Sequence, residues 1–130
     1  MNLTILGAGS FGTAMANHAA QLGHGVRLWC RNAAQAEAIN ATRVNPRYLK
    51  GCRIDETVRA DSDFEKSVAF SRHIILAVPT QSLRDVLERL AALGSRDEKL
   101  LSLAKGIEIA TGKLPHQVAE EVYLSRTAAS

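Results

Sequence analysis

An α/β fold with a doubly wound, mainly parallel sheet is predicted by three features of the sequence. Short apolar runs alternate along the chain with stretches of helical periodicity, as right-handed βαβ crossovers require. A glycine-rich turn joins the first apolar run to the first helical stretch. The third feature is the aliphatic run at residues 74–78, which is typical of a strand buried on both faces of a parallel sheet.

Two strand–helix units are predicted in the first part of the chain. The apolar run at residues 3–6 is the first strand, and the helix after it ends at the Gly23 turn. Residues 26–30 form the second strand, and Asn32 is expected to cap a helix over residues 33–40. The residues that recur at helical spacing in the first helix are Phe11, Ala14, Met15, His18, Ala19 and Leu22.

The later elements are predicted from the same signals. Asn45, Pro46 and Gly51 interrupt any helix over residues 42–51. Pro79 ends the strand at residues 74–78, and Ser82 is expected to cap an amphipathic helix. The remaining elements are a short strand or edge extension at residues 54–58, helices at 63–69, 82–93 and about 113–124, and a strand at 100–104. We therefore expect one domain over residues 1–124 and an unstructured tail over residues 125–130.

Composition excludes several classes of function. The 130 residues, 46% of them hydrophobic, suit one domain with a single core. No apolar run approaches the ~20 residues needed to cross a bilayer, and no leader segment is recognisable, so a cytoplasmic location is expected. A net charge of +3 is too mild to indicate nucleic-acid binding. Cys30 and Cys52 lack metal-ligand spacing and are expected to be free thiols, and no metal site is predicted.

The glycine-rich turn has the G-x-G-x-x-G spacing of Rossmann dinucleotide-binding domains. Gly7 permits the tight turn after the strand, Gly9 leaves space for a pyrophosphate, and Gly12 allows close packing of the helix. The free N–H groups and the positive dipole end of that helix favour a bound phosphate. Ser10 is predicted to contact the pyrophosphate and Phe11 to cover the cofactor; the alternative is a capped helix with Phe11 in the core.

Basic residues bear on the choice of cofactor. Arg31 ends the second strand, where NAD-specific Rossmann domains usually carry an acid. A guanidinium there would attract a 2′-phosphate, so we predict NAD(P)H as cofactor, with a lean toward NADPH or dual specificity. The alternative is a surface arginine paired with an acid elsewhere. A second basic stretch is either a solvated loop or a surface that faces an anion: Arg43, Arg47, Lys50 and Arg53.

Five ordered segments together resemble the bacterial type of NAD(P)-dependent glycerol-3-phosphate dehydrogenase. They are GAGSFGTA at residues 7–14, LWCRN at 28–32, NPRYLKG at 45–51 with Asn40 upstream, AVPTQSLR at 77–84 and AKGIE at 104–108. A glycine motif alone would mark many Rossmann proteins, whereas the ordered set is much more specific.

The resemblance implies further site residues. The loop at residues 45–51 would fold over the nucleotide, with Tyr48 at the ribose or adenine edge and Arg43 and Arg47 near phosphates. Pro79 would shape the cofactor loop at the carboxyl edge of the sheet. Gln81 would reach the nicotinamide ribose, or would be an exposed polar cap.

Lys105 is the residue for which the resemblance implies a contact with both cofactor and substrate. A cation there would balance phosphate charge and hold the substrate beside the nicotinamide. The alternative is a solvated lysine in a turn. No catalytic residue is expected in this chain, because the family's catalytic lysine lies in a helical second half that is absent here.

The implied reaction of the full-length protein interconverts dihydroxyacetone phosphate and sn-glycerol 3-phosphate by hydride transfer, for glycerophospholipid synthesis. The resemblance also implies a homodimer formed through the missing half, whereas the present chain would bind NAD(P)H with little turnover. One alternative is another 6-phosphogluconate-dehydrogenase-like reductase, such as a ketopantoate reductase, although the KGIE and NPRYL segments argue against it. The other is a non-catalytic nucleotide-binding module.

Overall fold

A computed structural model describes residues 1–48, 51–93 and 99–102. The elements are β1 (Asn2–Leu6), α1 (Ser10–Gln21), β2 (Gly25–Trp29), α2 (Ala33–Thr42), β3 (Val58–Asp61), α3 (Phe64–Ala69), β4 (His73–Leu76), α4 (Thr80–Ala92) and β5 (Lys99–Ser102). The helix predicted at residues 113–124, the tail at 125–130 and Lys105 lie outside the described residues. Among the described helices, none has the length and apolar character needed to span a membrane.

The described strands form one parallel sheet with the order β3-β2-β1-β4-β5. The chain moves outward from β1 to β3 and then returns to the other side of β1 to form β4. The strand order therefore reverses between β1 and β4, and open α/β sheets bind ligands at the carboxyl ends of the strands beside such a reversal. This topology confirms the predicted doubly wound α/β fold.

Two apolar cores cover the two faces of the sheet. Ile5 of β1 packs with residues of α1 and α2, whereas its neighbour Leu6 packs with residues of α3 and α4. The same alternation occurs in β4, where Ile75 and Ile74 belong to opposite cores. Because successive side chains of a strand point to opposite faces, an apolar run without polar gaps is what a doubly covered strand requires. The prediction of a strand buried on both faces is confirmed for β4.

The capping predictions are confirmed for one helix and wrong for another. Asn32 caps α2, and its side-chain oxygen accepts a hydrogen bond from the Gln35 amide at 3.1 Å. Ser82 was expected to cap α4, but the helix begins at Thr80 with Pro79 as its N-cap residue. The Ser82 amide donates to the Pro79 carbonyl at 2.8 Å, which places Ser82 inside the first turn.

The strand predicted at residues 54–58 is wrong, and β3 covers Val58–Asp61 instead. Ile54 is buried in an irregular segment, and its amide bonds to the Arg43 carbonyl at 2.8 Å rather than to a strand. Asp55 then forms a turn, since its carboxylate accepts from the Thr57 hydroxyl at 2.6 Å and from the Thr57 amide at 2.8 Å. These hydrogen bonds lower the pKa of Asp55, the side-chain bond contributing most. Pairing with β2 starts only after this turn, at Val58.

The spacing that indicated α1 was correct, but of the residues that carry this spacing only Ala19 lies on the buried face. The large apolar residues Phe11 and Leu22 are 66% and 64% exposed. Small residues allow the helix to approach the sheet closely, so they occupy the contact. The buried residues of α1 are Gly12, Thr13, Ala16, Ala19 and Ala20.

The two cysteines are free thiols, as predicted, and they differ sharply in environment. Cys30 is buried and Cys52 is exposed. Burial, and secondarily the negative charge of Asp61, raise the pKa of Cys30 to about 12. Because the thiolate is the form that attacks a thiol reagent, we expect the exposed Cys52 to react rapidly at pH 8 and the buried Cys30 only after unfolding. Ellman titration of the native and denatured chain measures this, and two rapidly reacting thiols in the native chain would contradict it.

The same shift has a consequence for stability at high pH. The folded pKa of Cys30 lies above its ordinary value of 9.0, so folding favours the neutral thiol. Its contribution to stability is complete below pH 9 and is lost as the pH rises from 9 toward 12. Cys30→Ala should therefore flatten the alkaline fall in the free energy of unfolding, as measured by urea denaturation at several pH values.

Candidate functional site

A cleft of about 600 Å³ opens at the carboxyl ends of the central strands. The turn after β1 forms one wall, and the segment after β4 forms another. Its described lining residues include the cations Arg31 and Arg47 and no aspartate or glutamate. The lining comprises residues 7–11, Trp29, Arg31, Gln35, Arg47, Tyr48 and residues 77–82. This location and this charge suit an anionic ligand at the strand-order reversal.

Close approach of backbone segments fixes the glycine turn. Gly7 has a φ of 120°, and a Cβ atom there would lie 2.5 Å from the Ala77 carbonyl oxygen. A Cβ atom on Gly12 would lie 1.9 Å from the Gly7 carbonyl oxygen. Neither position can accept a side chain without movement of the backbone. Gly12 does not line the cleft, so its predicted packing role is the one that the structure supports.

The N-terminal end of α1 lies at the cleft, and Gly9, Ser10 and Phe11 line it. Gly9 is the N-cap residue and supplies no side-chain cap, and a Cβ atom on it would meet no atom within 4 Å. The first N–H groups of a helix have no partner within the helix and carry its positive dipole end. Phe11 lies at the surface rather than in the core, so the alternative of a core phenylalanine is wrong.

Arg31 combines the two roles that the sequence left open. It lines the cleft, and its guanidinium also lies 3.9 Å from the carboxylate of Asp85 on α4. Both side chains are more than half exposed, at 58% and 63%, so this ion pair contributes little to stability. The guanidinium lies 5.8 Å from the ring centroid of Trp29. Arg31 is thus held loosely at the cleft and is available to a ligand.

The basic stretch after α2 separates into residues with different surroundings. Arg47 and Tyr48 line the cleft, as the resemblance implies. The structure does not bring Arg43, expected near phosphates, to the cleft, and its guanidinium donates to the carbonyls of Asp55 and Val58.

The other two basic residues of this stretch do not add to the cleft. Arg53 is exposed and lies 3.2 Å from Glu56, which fits a solvated surface. Lys50 lies outside the described residues.

The segment after β4 brings two further predicted residues to the cleft. Pro79 and Gln81 both line it, and Pro79 is also the N-cap residue of α4. This arrangement fits the expectation that Pro79 shapes the loop at the carboxyl edge of the sheet.

Sequence reasoning missed the buried amides behind the glycine turn. Gln35 is 7% exposed and Asn45 is 1% exposed, and both donate to the Ala8 carbonyl, at 3.0 and 2.9 Å respectively. Asn45 was predicted to interrupt helical structure and to belong to the loop over the nucleotide, with no role of its own. A polar residue in a loop carries no sequence signal of burial, so only its tertiary contacts reveal this function.

A family model described as the N-terminus of NAD-dependent glycerol-3-phosphate dehydrogenase matches residues 2–129. The chain belongs to this family. Glycerol-3-phosphate dehydrogenase [NAD(P)+] of Pseudomonas entomophila is 47% identical over 120 residues, which are 92% of this chain and 35% of that protein. The corresponding protein of Azotobacter vinelandii is 46% identical over 121 residues. The chain therefore spans about a third of the length of these relatives.

Solved structures agree with this membership. The crystal structure of glycerol-3-phosphate dehydrogenase from Coxiella burnetii superposes with a TM-score of 0.85 at 31% identity, covering 94% of this chain and 37% of that one. Prephenate dehydrogenase from A. aeolicus has a TM-score of 0.67 at 15% identity, which shows the fold alone. The fold is thus shared with other dehydrogenases, and the sequence match assigns the chain to the glycerol-3-phosphate dehydrogenase family.

Proposed function

We propose that this chain is the part of a glycerol-3-phosphate dehydrogenase that binds NAD(P)H, with the dinucleotide in the cleft described above. One observation carries the proposal: the N-terminal end of α1, Arg31 and Arg47 converge on a single cleft whose described lining contains no acid. An elongated ligand with several phosphates matches that distribution of positive charge. The names of the curated relatives support the choice of cofactor.

Each wall of the cleft has a distinct task in this proposal. The amides of the first turn of α1 and the Ser10 hydroxyl bind the pyrophosphate, with Gly9 leaving space for its approach. Phe11 covers the cofactor from the surface. On the adenosine side, Arg31 binds a 2′-phosphate when one is present.

The other two walls bind the remaining parts of the cofactor. Arg47 and Tyr48 contact the nucleotide from the loop after α2. Pro79 and Gln81 lie on the wall formed by the segment after β4, where the nicotinamide half would extend.

The reaction proposed for the whole protein interconverts dihydroxyacetone phosphate and sn-glycerol 3-phosphate, which supplies glycerophospholipid synthesis. The nicotinamide supplies or accepts the hydride. Lys105 would bind cofactor and substrate at the same edge of the sheet, and the rest of the relatives' length would supply the catalytic lysine and most of the substrate site. The cytoplasmic location and the homodimer of the full-length protein stay predictions.

Cofactor binding by the chain itself is the first test. Trp29 lines the cleft and is the one tryptophan of the sequence, so its emission should be quenched by energy transfer to bound NADH or NADPH. We expect saturable binding of one dinucleotide per chain. ADP-ribose, which retains the pyrophosphate, should displace it, whereas adenosine should not. Binding of neither coenzyme would overturn the proposal.

Enzymatic activity is the second test, and it compares this chain with the full-length protein. Adding dihydroxyacetone phosphate to the chain with NADH should give little or no oxidation, followed by absorbance. Robust activity would contradict the proposal that catalysis needs the remainder of the relatives' length. The full-length protein is the positive control, and a panel of 2-keto acids on it distinguishes a ketopantoate-type reductase.

A further inference from the structure

Asn45 is a buried amide whose side-chain nitrogen holds the glycine turn. It lies in the loop between α2 and β3 and is 1% exposed. Its Nδ2 donates to the Ala8 carbonyl at 2.9 Å and to the Thr13 hydroxyl of α1 at 2.9 Å. Ala8 lies between Gly7 and Gly9, so these bonds tie the loop directly to the predicted pyrophosphate site.

The side-chain oxygen of Asn45 holds a second part of the cleft wall, the segment of Arg47 and Tyr48. Its Oδ1 accepts from the backbone amides of Arg47 at 3.0 Å and Tyr48 at 3.3 Å. It also accepts from Nε2 of Gln35 at 3.0 Å. Both ends of one buried carboxamide are therefore occupied, and each end contacts a segment that lines the cleft.

We propose that Asn45 is a positioning residue for the dinucleotide. It fixes the glycine turn relative to the segment of Arg47 and Tyr48, so that both walls are in place before the ligand arrives. This inference rests on the proposed function of the cleft. Preorganised walls lose less conformational freedom on binding, and this raises affinity without any contact between Asn45 and the ligand.

The chemistry of the site explains why an amide is needed. A carboxamide donates through its nitrogen and accepts through its oxygen, whereas a carboxylate only accepts. Asn45→Asp would place a second acceptor against the Ala8 carbonyl, which already accepts at that point. The turn keeps other partners if Asn45 is lost, because Ala8 also accepts from Gln35 at 3.0 Å and from Thr13 at 3.4 Å. Loss of Asn45 is thus expected to separate the two walls rather than to unfold the turn.

The test compares Asn45→Ala with Asn40→Ala. Asn40 offers a control because both ends of its carboxamide are also hydrogen-bonded, to the Ala60 carbonyl at 2.8 Å and from the Ala60 amide at 2.9 Å, and it does not line the cleft. We expect both variants to lower the melting temperature. Only Asn45→Ala should weaken NADH and NADPH binding, by about tenfold and by the same factor for each, which corresponds to about 1.4 kcal/mol. Affinities are measured where both variants are folded.

A double-mutant cycle separates positioning from a general loss of stability. If Asn45 acts through the Arg47 segment, Arg47→Ala should cost less affinity in the Asn45→Ala background than in the unmutated chain. Additive effects, or an unchanged affinity in Asn45→Ala, would overturn the inference. If Asn45→Ala does not fold, Asn45→Ser is used for the same cycle with the same expected outcomes. Failure of the unmutated chain to bind either coenzyme would instead overturn the proposed function.

Discussion

Replacing Gly12 with alanine is expected to destabilise the chain by about 3 kcal/mol and to abolish dinucleotide binding. The added Cβ atom would lie 1.9 Å from the Gly7 carbonyl oxygen and 3.2 Å from the Cβ atom of Ala77. The nearest of these atoms belongs to backbone, so no side-chain rotation relieves the overlap. The helix and the glycine turn must separate, and the phosphate site is lost with them. Thermal unfolding and titration with NADH measure the two effects.

Gly9→Ala is the matched variant for this prediction. A Cβ atom at that position meets no protein atom within 4 Å, so the melting temperature should stay close to that of the unmutated chain. Its methyl group would nevertheless occupy space where the pyrophosphate is proposed to approach, and binding should weaken. Stability loss in Gly9→Ala, or tight binding in Gly12→Ala, would contradict the assigned roles of the two glycines.

Replacing Arg31 with alanine is expected to weaken NADPH binding about tenfold more than NADH binding. The guanidinium lines the cleft, and a 2′-phosphate would form charge-assisted hydrogen bonds with it. NADH lacks that phosphate and should lose only the contact between Arg31 and the adenosine. Titration of each variant with both coenzymes gives the ratio of the two dissociation constants. Equal losses for the two coenzymes would contradict the assignment.

Asp85→Asn should shift the same ratio in the opposite direction. The Asp85 carboxylate lies 3.9 Å from the Arg31 guanidinium and competes with a phosphate for it. Its neutralisation should favour NADPH by about twofold to threefold, since exposed ion pairs are weak. Glu56→Gln is the control, because Glu56 pairs with Arg53 on the surface and does not line the cleft.

Local sequence signals predicted the elements that local forces determine. The glycine spacing, the Asn32 cap and the aliphatic strand β4 could each be read from a few neighbouring residues, and each is present. The buried face of α1 could not be read in this way. Phe11 and Leu22 suggest an apolar stripe by their spacing, whereas the close approach of helix and sheet selects small residues such as Ala16.

In the candidate site, too, the residues placed by nearby sequence features could be predicted, whereas those placed by tertiary contacts could not. The positions of Arg31, Tyr48 and Pro79 at the cleft follow from strand ends and from resemblance. The contacts of Arg43 and the positioning role proposed for Asn45 were not predicted, because both depend on partners distant in sequence. Arg43 bonds to carbonyls beside β3, and Asn45 reaches back 37 residues to Ala8. No sequence pattern within the loop between α2 and β3 distinguishes a buried, hydrogen-bonded asparagine from a solvated one.

The crowding around Ala77 limits how this family can vary at the base of the cleft. Its carbonyl oxygen would lie 2.5 Å from a Cβ atom on Gly7, and its own methyl group lies where a Cβ atom on Gly12 would approach within 3.2 Å. Gly7 and Gly12 thus share one small volume with Ala77, which is distant from both in the chain. The closest atoms at Gly7 and Gly12 are backbone carbonyl oxygens, which a substitution at a neighbouring position does not remove. Natural variants should therefore keep glycine at both positions and a small residue at position 77.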